Sequence, residues 1–140
     1  MLKTHRIPGL SPEAYFQTAY DMWLGKFIGG TLGASFEGFK QILDVDVAQM
    51  LPLEIVENDD TDLQVRWLHA LEEHGIHLNS SHLMREWREH VRAPWGEYGI
   101  AMANWERGIM PPESGMVDNW FYENGMGCPI RSEIWGIICP

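Results

Sequence analysis

Apolar residues recur at helical spacing over most of the chain. Ser11 and Pro12 predict an N-cap followed by proline at the first helical position, opening a helix over residues 13–39. Along it, apolar residues keep roughly to one side: Tyr15, Ala19, Met22, Trp23, Phe27 and Leu32. This period favours helix over strand.

Three further helices follow from the same pattern. One is predicted over residues 60–74, with Gly75 just after its end. Its apolar stripe consists of Leu63, Trp67, Leu68 and Leu71. Asn79 or Ser80 can cap the next helix, which ends near Val91, and another ends at Gly108.

The remaining stretches are less regular. Residues 40–56 fit either a short helix or an extended loop, and residues 109–129, rich in Gly and Pro, predict a loop. The sequence then stops in an apolar run, which predicts a fold cut in its middle. We therefore expect a compact, multi-helix, all-α fold, truncated, with residues 1–140 in a single domain.

Glycines on the first helix indicate a close approach. Gly25, Gly29 and Gly33 recur every fourth residue, with Gly30 and Ala34 beside them. Each glycine costs about 1 kcal/mol in a helix interior. Such a row favours close packing of another helix, with approach of a ligand as the alternative.

The start of the second helix concentrates oxygen donors in Asn58, Asp59, Asp60, Thr61 and Asp62. Hard divalent cations prefer such ligands. Side chains of consecutive residues diverge by about 100° on a helix, but they can converge where a loop enters one. The alternative is a well-capped helix, with Asn58 or Asp59 as the N-cap and the other acids paired to the helix dipole. We expect Asp62 to be solvated or to take part in capping.

Glu37 follows the glycine row, where the first helix is expected to end. A carboxylate is electrostatically disfavoured at a helix C-terminus, and a bound cation would remove that conflict. An exposed glutamate in a fraying turn is the alternative.

Composition narrows the classes of function. Twenty acidic against ten basic residues give a net charge of −10, which argues against a nucleic-acid partner. Cys128 and Cys139 have no metal-ligand spacing, and no apolar segment is long enough for a membrane span, so we expect a cytoplasmic protein without a membrane partner. His74 and His77 have no zinc-site partner nearby in the sequence, which predicts surface positions.

Two stretches carry a family resemblance. Residues 21–38, DMWLGKFIGGTLGASFEG, and residues 57–75, ENDDTDLQVRWLHALEEHG, closely resemble the ADP-ribosylglycohydrolase family, which includes the dinitrogenase reductase activating glycohydrolases and crystallin J1-like proteins. The resemblance continues through residues 104–115 and 118–140. It implies an all-α hydrolase that uses two Mg²⁺ or Mn²⁺ ions to cleave the glycosidic bond between ADP-ribose and a modified side chain, often arginine.

The resemblance also implies roles for individual residues. Asn58, Asp59 and Asp60 take the places of the first cluster of metal ligands, where many relatives have Thr-Asp-Asp. Glu37 matches a glutamate that sits beside the metals and contacts the substrate ribose, so Glu37 and Asp60 are the expected catalytic residues.

The resemblance also implies residues that bind phosphate. Asn124, Gly125 and Gly127 are similar to the glycine-rich loop that binds the diphosphate, although Cys128 and Pro129 alter it. Arg131 beside this loop is expected to anchor a helix, with phosphate contact as the alternative.

The second metal-ligand cluster of the family, of Asp-x-Asp-Thr type, lies in a C-terminal half that this sequence lacks. We therefore expect half of a binuclear site and little hydrolysis by the isolated chain. The expected partners are an ADP-ribosylated protein or an ADP-ribose-containing small molecule, and a second copy or a complementing C-terminal chain. The alternatives are one subunit of a split enzyme and a non-catalytic helical binding or structural module.

Overall fold

The computed structural model describes residues 9–46, 48, 57–92, 95–125 and 127–139. Within these residues it contains no strand and five longer helices: α1, Pro12–Gly33; α2, Asp59–His74; α3, Ser80–His90; α4, Gly96–Glu106; and α5, Glu133–Ile138. Short 3-10 turns lie at Ala34–Phe36, Gly75–His77, Glu113–Gly115 and Pro129–Arg131. The all-α prediction is confirmed. None of the described helices combines the length and the apolar character that crossing a membrane requires.

The residues group into two units. The first comprises Met1–Asp62 together with Trp135–Pro140, and the second comprises Leu63–Ile134. The expectation of a single domain over residues 1–140 stays a prediction. In the segment 40–56, predicted as a short helix or an extended loop, residues 40–46 form neither helix nor strand, and most of residues 47–56 lie outside the described residues.

Helix α1 begins as the sequence predicts. The backbone N–H of Ala14 donates to the Ser11 hydroxyl oxygen over 3.1 Å, and Pro12 occupies the first helical position. The α-helix ends at Gly33, earlier than predicted, and tightens into the 3-10 turn before Glu37. Near the start of α1, the Tyr15 hydroxyl donates to the carbonyl oxygen of Ile137, which belongs to the same unit.

None of the residues of α1 is buried, but part of the predicted apolar side is half-buried: Ala19, Met22, Trp23 and Leu32. Tyr15 and Phe27 of that side are exposed, and Phe16, which lies outside it, is 70% exposed. Tyr20, Leu24 and Ile28 are exposed as well.

The core of the second unit forms along α2. Leu63, Trp67 and Ala70 are buried, as the helical stripe predicts for the first two. Leu68 is 43% exposed, so its assignment to that stripe is wrong. Position 68 lies one residue, and therefore about 100°, from Trp67.

Gln64 joins α2 to α5 inside the second unit. Its side chain is fully buried, donating to Glu133 Oε2 over 2.8 Å and accepting from the Ile134 N–H over 3.2 Å. The amide therefore satisfies a backbone donor in the first turn of α5, where a helix has no internal acceptor. Ile134 beside it is 2% exposed.

Helix α3 has a capping box at its start. The Asn79 side chain accepts from the N–H groups of Ser81 and His82, while the His82 ring nitrogen Nδ1 accepts from the Asn79 N–H over 3.1 Å. Asn79 is therefore the cap, one of the two residues predicted. Gly75 has a φ of +65°, as expected for the residue after α2.

Helix α4 holds the loop that follows it. Asn104, 1% exposed, donates through Nδ2 to the carbonyl oxygens of Ser114 and Val117 over 2.9 and 2.7 Å. The Trp105 indole N–H donates to the Ser114 hydroxyl oxygen over 2.9 Å. The Gly- and Pro-rich segment is a loop, as predicted, and these bonds attach it to the helix.

Candidate functional site

The predicted metal ligands form the entry to α2, and we call residues Asn58, Asp59 and Asp60 the acidic corner. Asn58 Oδ1 accepts from the N–H of Asp60 over 2.9 Å, and the Asn58 carbonyl oxygen accepts from Thr61 and Asp62. Asn58 is therefore the N-cap of α2. The capped-helix interpretation holds for Asn58.

The acidic corner lies against α1 within the first unit. A Cβ atom built on Gly30 would overlap Asn58 Nδ2, whereas among the described residues nothing comes within 4 Å of such an atom on Gly25, Gly29 or Gly33. The close approach inferred from the glycine row is thus made at Gly30, beside the regular row, and by an asparagine side chain instead of a helix backbone. Gly30 gives Asn58 the space to cap α2.

The carboxylates themselves face different environments. Asp59 is exposed and Asp60 half-buried, both within the first turn of α2. Glu37 is exposed and follows the 3-10 turn after α1, where its N–H donates to the Ala34 carbonyl oxygen over 3.4 Å. Glu37 thus occupies the helix end that the sequence predicts. Its role beside the metal ligands stays a prediction.

A cavity of about 350 Å³ opens in the second unit. Aromatic residues form one part of its wall: the Trp67 and Trp87 rings lie 5.7 Å apart, and Tyr98 meets Trp87 edge-on at 4.8 Å. Trp105 and Tyr122 also line it. The buried Trp87 indole N–H has no hydrogen-bond partner among the described residues.

Two of the three predicted diphosphate-binding residues line this cavity. Gly125 and Gly127 belong to its wall, and Asn124 is exposed beside them. The Gly125 N–H donates to the Tyr122 carbonyl oxygen over 2.8 Å, so in this conformation it is not directed to a phosphate. A Cβ atom on Gly127 would lie 2.5 Å from Glu97 Oε1, which places a negative charge next to the predicted anion site.

Arg131 holds the aromatic wall together. Its guanidinium lies 5.3 Å from the centre of the Trp87 ring and 5.1 Å from that of Tyr98, and it donates to the Tyr98 hydroxyl over 2.9 Å. This geometry favours the structural role predicted for Arg131. The guanidinium also lies on the Gly127 side of the cavity, where it offsets the charge of Glu97.

A second group of potential ligands was missed by the sequence analysis. His69 on α2 lies within hydrogen-bond distance of Glu86 on α3, with Nδ1 3.0 Å from each carboxylate oxygen. His90 Nε2 lies 3.6 Å from Glu86 Oε1. We call these three residues the histidine cluster. The hydrogen bond and charge of Glu86 raise the pKa of His69 above its ordinary value, opposed in part by desolvation.

Only part of the histidine cluster was visible in the sequence. Glu86 and His90 are four residues apart, which places them on one face of α3. His69 comes from a different helix, 17 positions before Glu86. Sequence spacing alone does not predict which residues of two different helices come into contact, because that depends on how the helices pack.

Comparison with known proteins gives one result. A family model described as ADP-ribosylglycohydrolase matches residues 11–140. No curated protein and no solved structure gives a significant match. The matched range includes every residue of the acidic corner, Glu37 and the glycine loop.

Proposed function

The chain belongs to the ADP-ribosylglycohydrolase family, and from that premise we propose that it takes part in hydrolysis of the glycosidic bond between ADP-ribose and a modified side chain, of the arginine type. The observation that supports this most directly is the pair of consecutive carboxylates, Asp59 and Asp60, at the first turn of α2 within the matched range. A hydrolase of this family is generally metal-dependent.

The acidic corner fits a hard divalent cation, Mg²⁺ or Mn²⁺. Its side chains offer oxygen ligands, two of which are charged carboxylates. They lie at the start of α2, where the free N–H groups of the helix favour negative charge. Asn58 Oδ1 already accepts one hydrogen bond and retains its second lone pair for a cation. We propose that Asn58, Asp59 and Asp60 supply the first part of a site for two ions.

When bound, such ions would supply electrostatic stabilisation of charge developing at the anomeric centre and would lower the pKa of a water molecule. Glu37 would accept hydrogen bonds from ribose hydroxyls or from the attacking water, which an exposed carboxylate can do. The Asp60 carboxylate would act beside Glu37 as a ligand of the ions. Mg²⁺ needs six oxygen ligands, about twice the number of side chains in the acidic corner.

We propose that the remaining ligands come from water and from a further segment, a second copy or a complementing chain. The substrate would be an ADP-ribosylated protein or a smaller ADP-ribose conjugate. Asn124, Gly125 and Gly127 would contact its diphosphate, for which the Gly125 N–H would leave the Tyr122 carbonyl oxygen and the Glu97 carboxylate would turn away from Gly127. The net charge of −10 supports cation binding and disfavours a nucleic-acid partner.

The test is calorimetric titration of the chain with Mn²⁺, followed by hydrolysis of an ADP-ribosyl-arginine substrate. We expect the wild type to bind Mn²⁺ and the double variant Asp59→Asn/Asp60→Asn to lose at least about tenfold in affinity. Asp62→Asn is the matched control, since this acid shares the first turn and is exposed. It should bind like the wild type.

Hydrolysis distinguishes the interpretations that remain. Weak turnover that is lost in Glu37→Gln, with Mn²⁺ binding retained, would support a catalytic role for Glu37. Mn²⁺ binding that is equal in the wild type and the double variant would contradict the metal assignment. It would favour the non-catalytic helical module.

A further inference from the structure

The histidine cluster has the chemistry of a second, different metal site. It combines two imidazole nitrogens with one carboxylate. His69 comes from α2, and Glu86 and His90 come from α3. All three ligand atoms lie within 4.8 Å of one another. Imidazole is a borderline ligand that suits Zn²⁺, Co²⁺ or Ni²⁺, whereas Mg²⁺ and Mn²⁺ prefer oxygen.

The distances require little rearrangement. Ligand atoms of a tetrahedral zinc ion, with bonds of about 2.0–2.1 Å, lie about 3.3 Å apart. Here Glu86 lies 3.0 Å from His69 Nδ1 and 3.6 Å from His90 Nε2. The rings of His69 and His90 meet edge-on with centres 5.3 Å apart, so their nitrogens can turn to one point without overlap of the rings.

Burial of the carboxylate gives an independent argument. Glu86 is 7% exposed, and its ion-pair partners among the described residues are the two histidines alone. A buried carboxylate requires a compensating positive charge. In the metal-free protein a protonated histidine supplies that charge, and a divalent cation between the three side chains would supply it to all three ligands at once.

The exposed side of the cluster leaves room for another ligand. The side chains of His69 and His90 are 45% and 29% exposed, so solvent reaches the cluster on the side away from the buried Glu86. Three protein ligands with one water-accessible position is a common arrangement for Zn²⁺ outside purely structural sites.

We propose that His69, Glu86 and His90 bind one Zn²⁺-type divalent cation that fastens α2 to α3, with water as the fourth ligand. This site is independent of the proposed glycohydrolase function, because it shares no residue with the acidic corner. Its ligands neighbour Trp67 and Trp87 in the sequence, so the cation would stabilise the helix pair that carries the aromatic wall of the cavity.

The experiment is titration of the full chain with Co²⁺, monitored by its visible d–d absorption, with excess Mg²⁺ present to occupy oxygen-rich sites. We expect one strong-binding equivalent with the intense bands of a tetrahedral ion, abolished by competing Zn²⁺. Losing hydrogen-bond partners outside the ligand set typically costs about 10–100-fold in metal affinity. Glu86→Gln and His90→Asn, which each remove a ligand, should cost at least that.

His74→Asn is the matched control. His74 belongs to another histidine pair, stacked on His82 with ring centres 4.1 Å apart, and within the described part of the chain this pair is not part of a group that could hold a metal ion. It should leave Co²⁺ affinity unchanged, and circular dichroism checks that each variant is folded. The proposal is overturned if no tetrahedral bands appear, if Glu86→Gln and His90→Asn bind like the wild type, or if His74→Asn is the variant that loses Co²⁺.

Discussion

The acidic corner and the histidine cluster both use residues of α2, yet they are built on opposite principles. The corner takes three consecutive residues at the start of the helix, and its Asp59 carboxylate is exposed. The cluster takes one residue from α2 and two from α3, around a carboxylate that is 7% exposed. Water stabilises the exposed charge of Asp59, while the cluster must stabilise its charge with its own side chains.

Because of this difference, substitutions in the two groups should affect protein stability and cation binding differently. Removing a solvated charge costs the fold little, although it removes a cation ligand. Removing a buried, hydrogen-bonded carboxylate also affects the packing of two helices. The four variants below test that contrast in the absence of metal, from the largest expected effect to the smallest.

Glu86→Ala should destabilise the protein by roughly 2–3 kcal/mol, because it removes a buried carboxylate and its hydrogen bond to His69. Urea unfolding measured with a chelator present gives this value. Glu89→Ala, an exposed glutamate on the same helix, should stay within about 0.5 kcal/mol of the wild type. Equal effects of the two substitutions would mean that the cluster is not packed as described.

Gly30→Ala should make the protein about 1 kcal/mol less stable than Gly29→Ala, since the added Cβ displaces Asn58 from its capping position. Gly29→Ala meets nothing within 4 Å among the described residues and should stabilise the helix by about 0.5–1 kcal/mol. Unfolding free energies of the two variants, measured side by side, decide the point. If both are stabilised equally, the Gly30–Asn58 contact does not constrain the corner.

Asp59→Asn should cost about 0.3–1 kcal/mol at low salt, the typical contribution of an acid to a helix N-terminus. The cost should shrink at high salt, because exposed charges are screened. Thermal unfolding at the two salt concentrations measures it. A loss as large as that of Glu86→Ala would show that the corner, too, is a buried and structurally required site.

The smallest effect concerns a histidine outside the cluster. Desolvation, followed by the nearby His74 and Arg85, lowers the pKa of His82 from its ordinary value of 6.5. Between the lowered pKa and 6.5 the unfolded chain binds more protons than the folded one, so this contribution to stability is complete above 6.5 and is lost as the pH falls. Protonation also removes the Nδ1 acceptor of the capping box.

His82→Gln should therefore reduce the loss of melting temperature between about pH 7.5 and about pH 5, because glutamine keeps an acceptor at this position and does not titrate. His69 shifts in the opposite direction, so its contribution is lost as the pH rises, and comparing each variant with the wild type at the same pH cancels it. His77→Gln, an exposed neighbour, serves as the control. Identical pH profiles for His82→Gln and the wild type would contradict the prediction.

Features encoded by neighbouring residues were predictable from the sequence. Ser11 with Pro12, Asn79, and Gly75 mark helix boundaries through local backbone chemistry, and each lies where predicted. The acidic corner was found for the same reason, since its residues are consecutive. The resemblance to the family, carried by the same stretches, gave the all-α fold.

Features that depend on packing were not predictable. Gln64 is polar but fully buried, where Glu133 and Ile134 satisfy its amide. This burial could not be predicted, because the two partners lie about 70 positions later in the chain. The histidine cluster needs α2 and α3 side by side. A glycine row indicates that another group lies close to the helix. That this group is the Asn58 side chain, and that the contact is at Gly30, depends on the path of the chain before α2.

The attachment of the loop after α4 has a consequence for ligand capture. Asn104 holds two carbonyl oxygens of that loop, and Trp105 holds the Ser114 hydroxyl. Pro111, Gly115 and Asn119 from this segment form part of the cavity wall. These bonds hold this part of the wall in place before a ligand binds, so little ordering entropy should be lost there on binding.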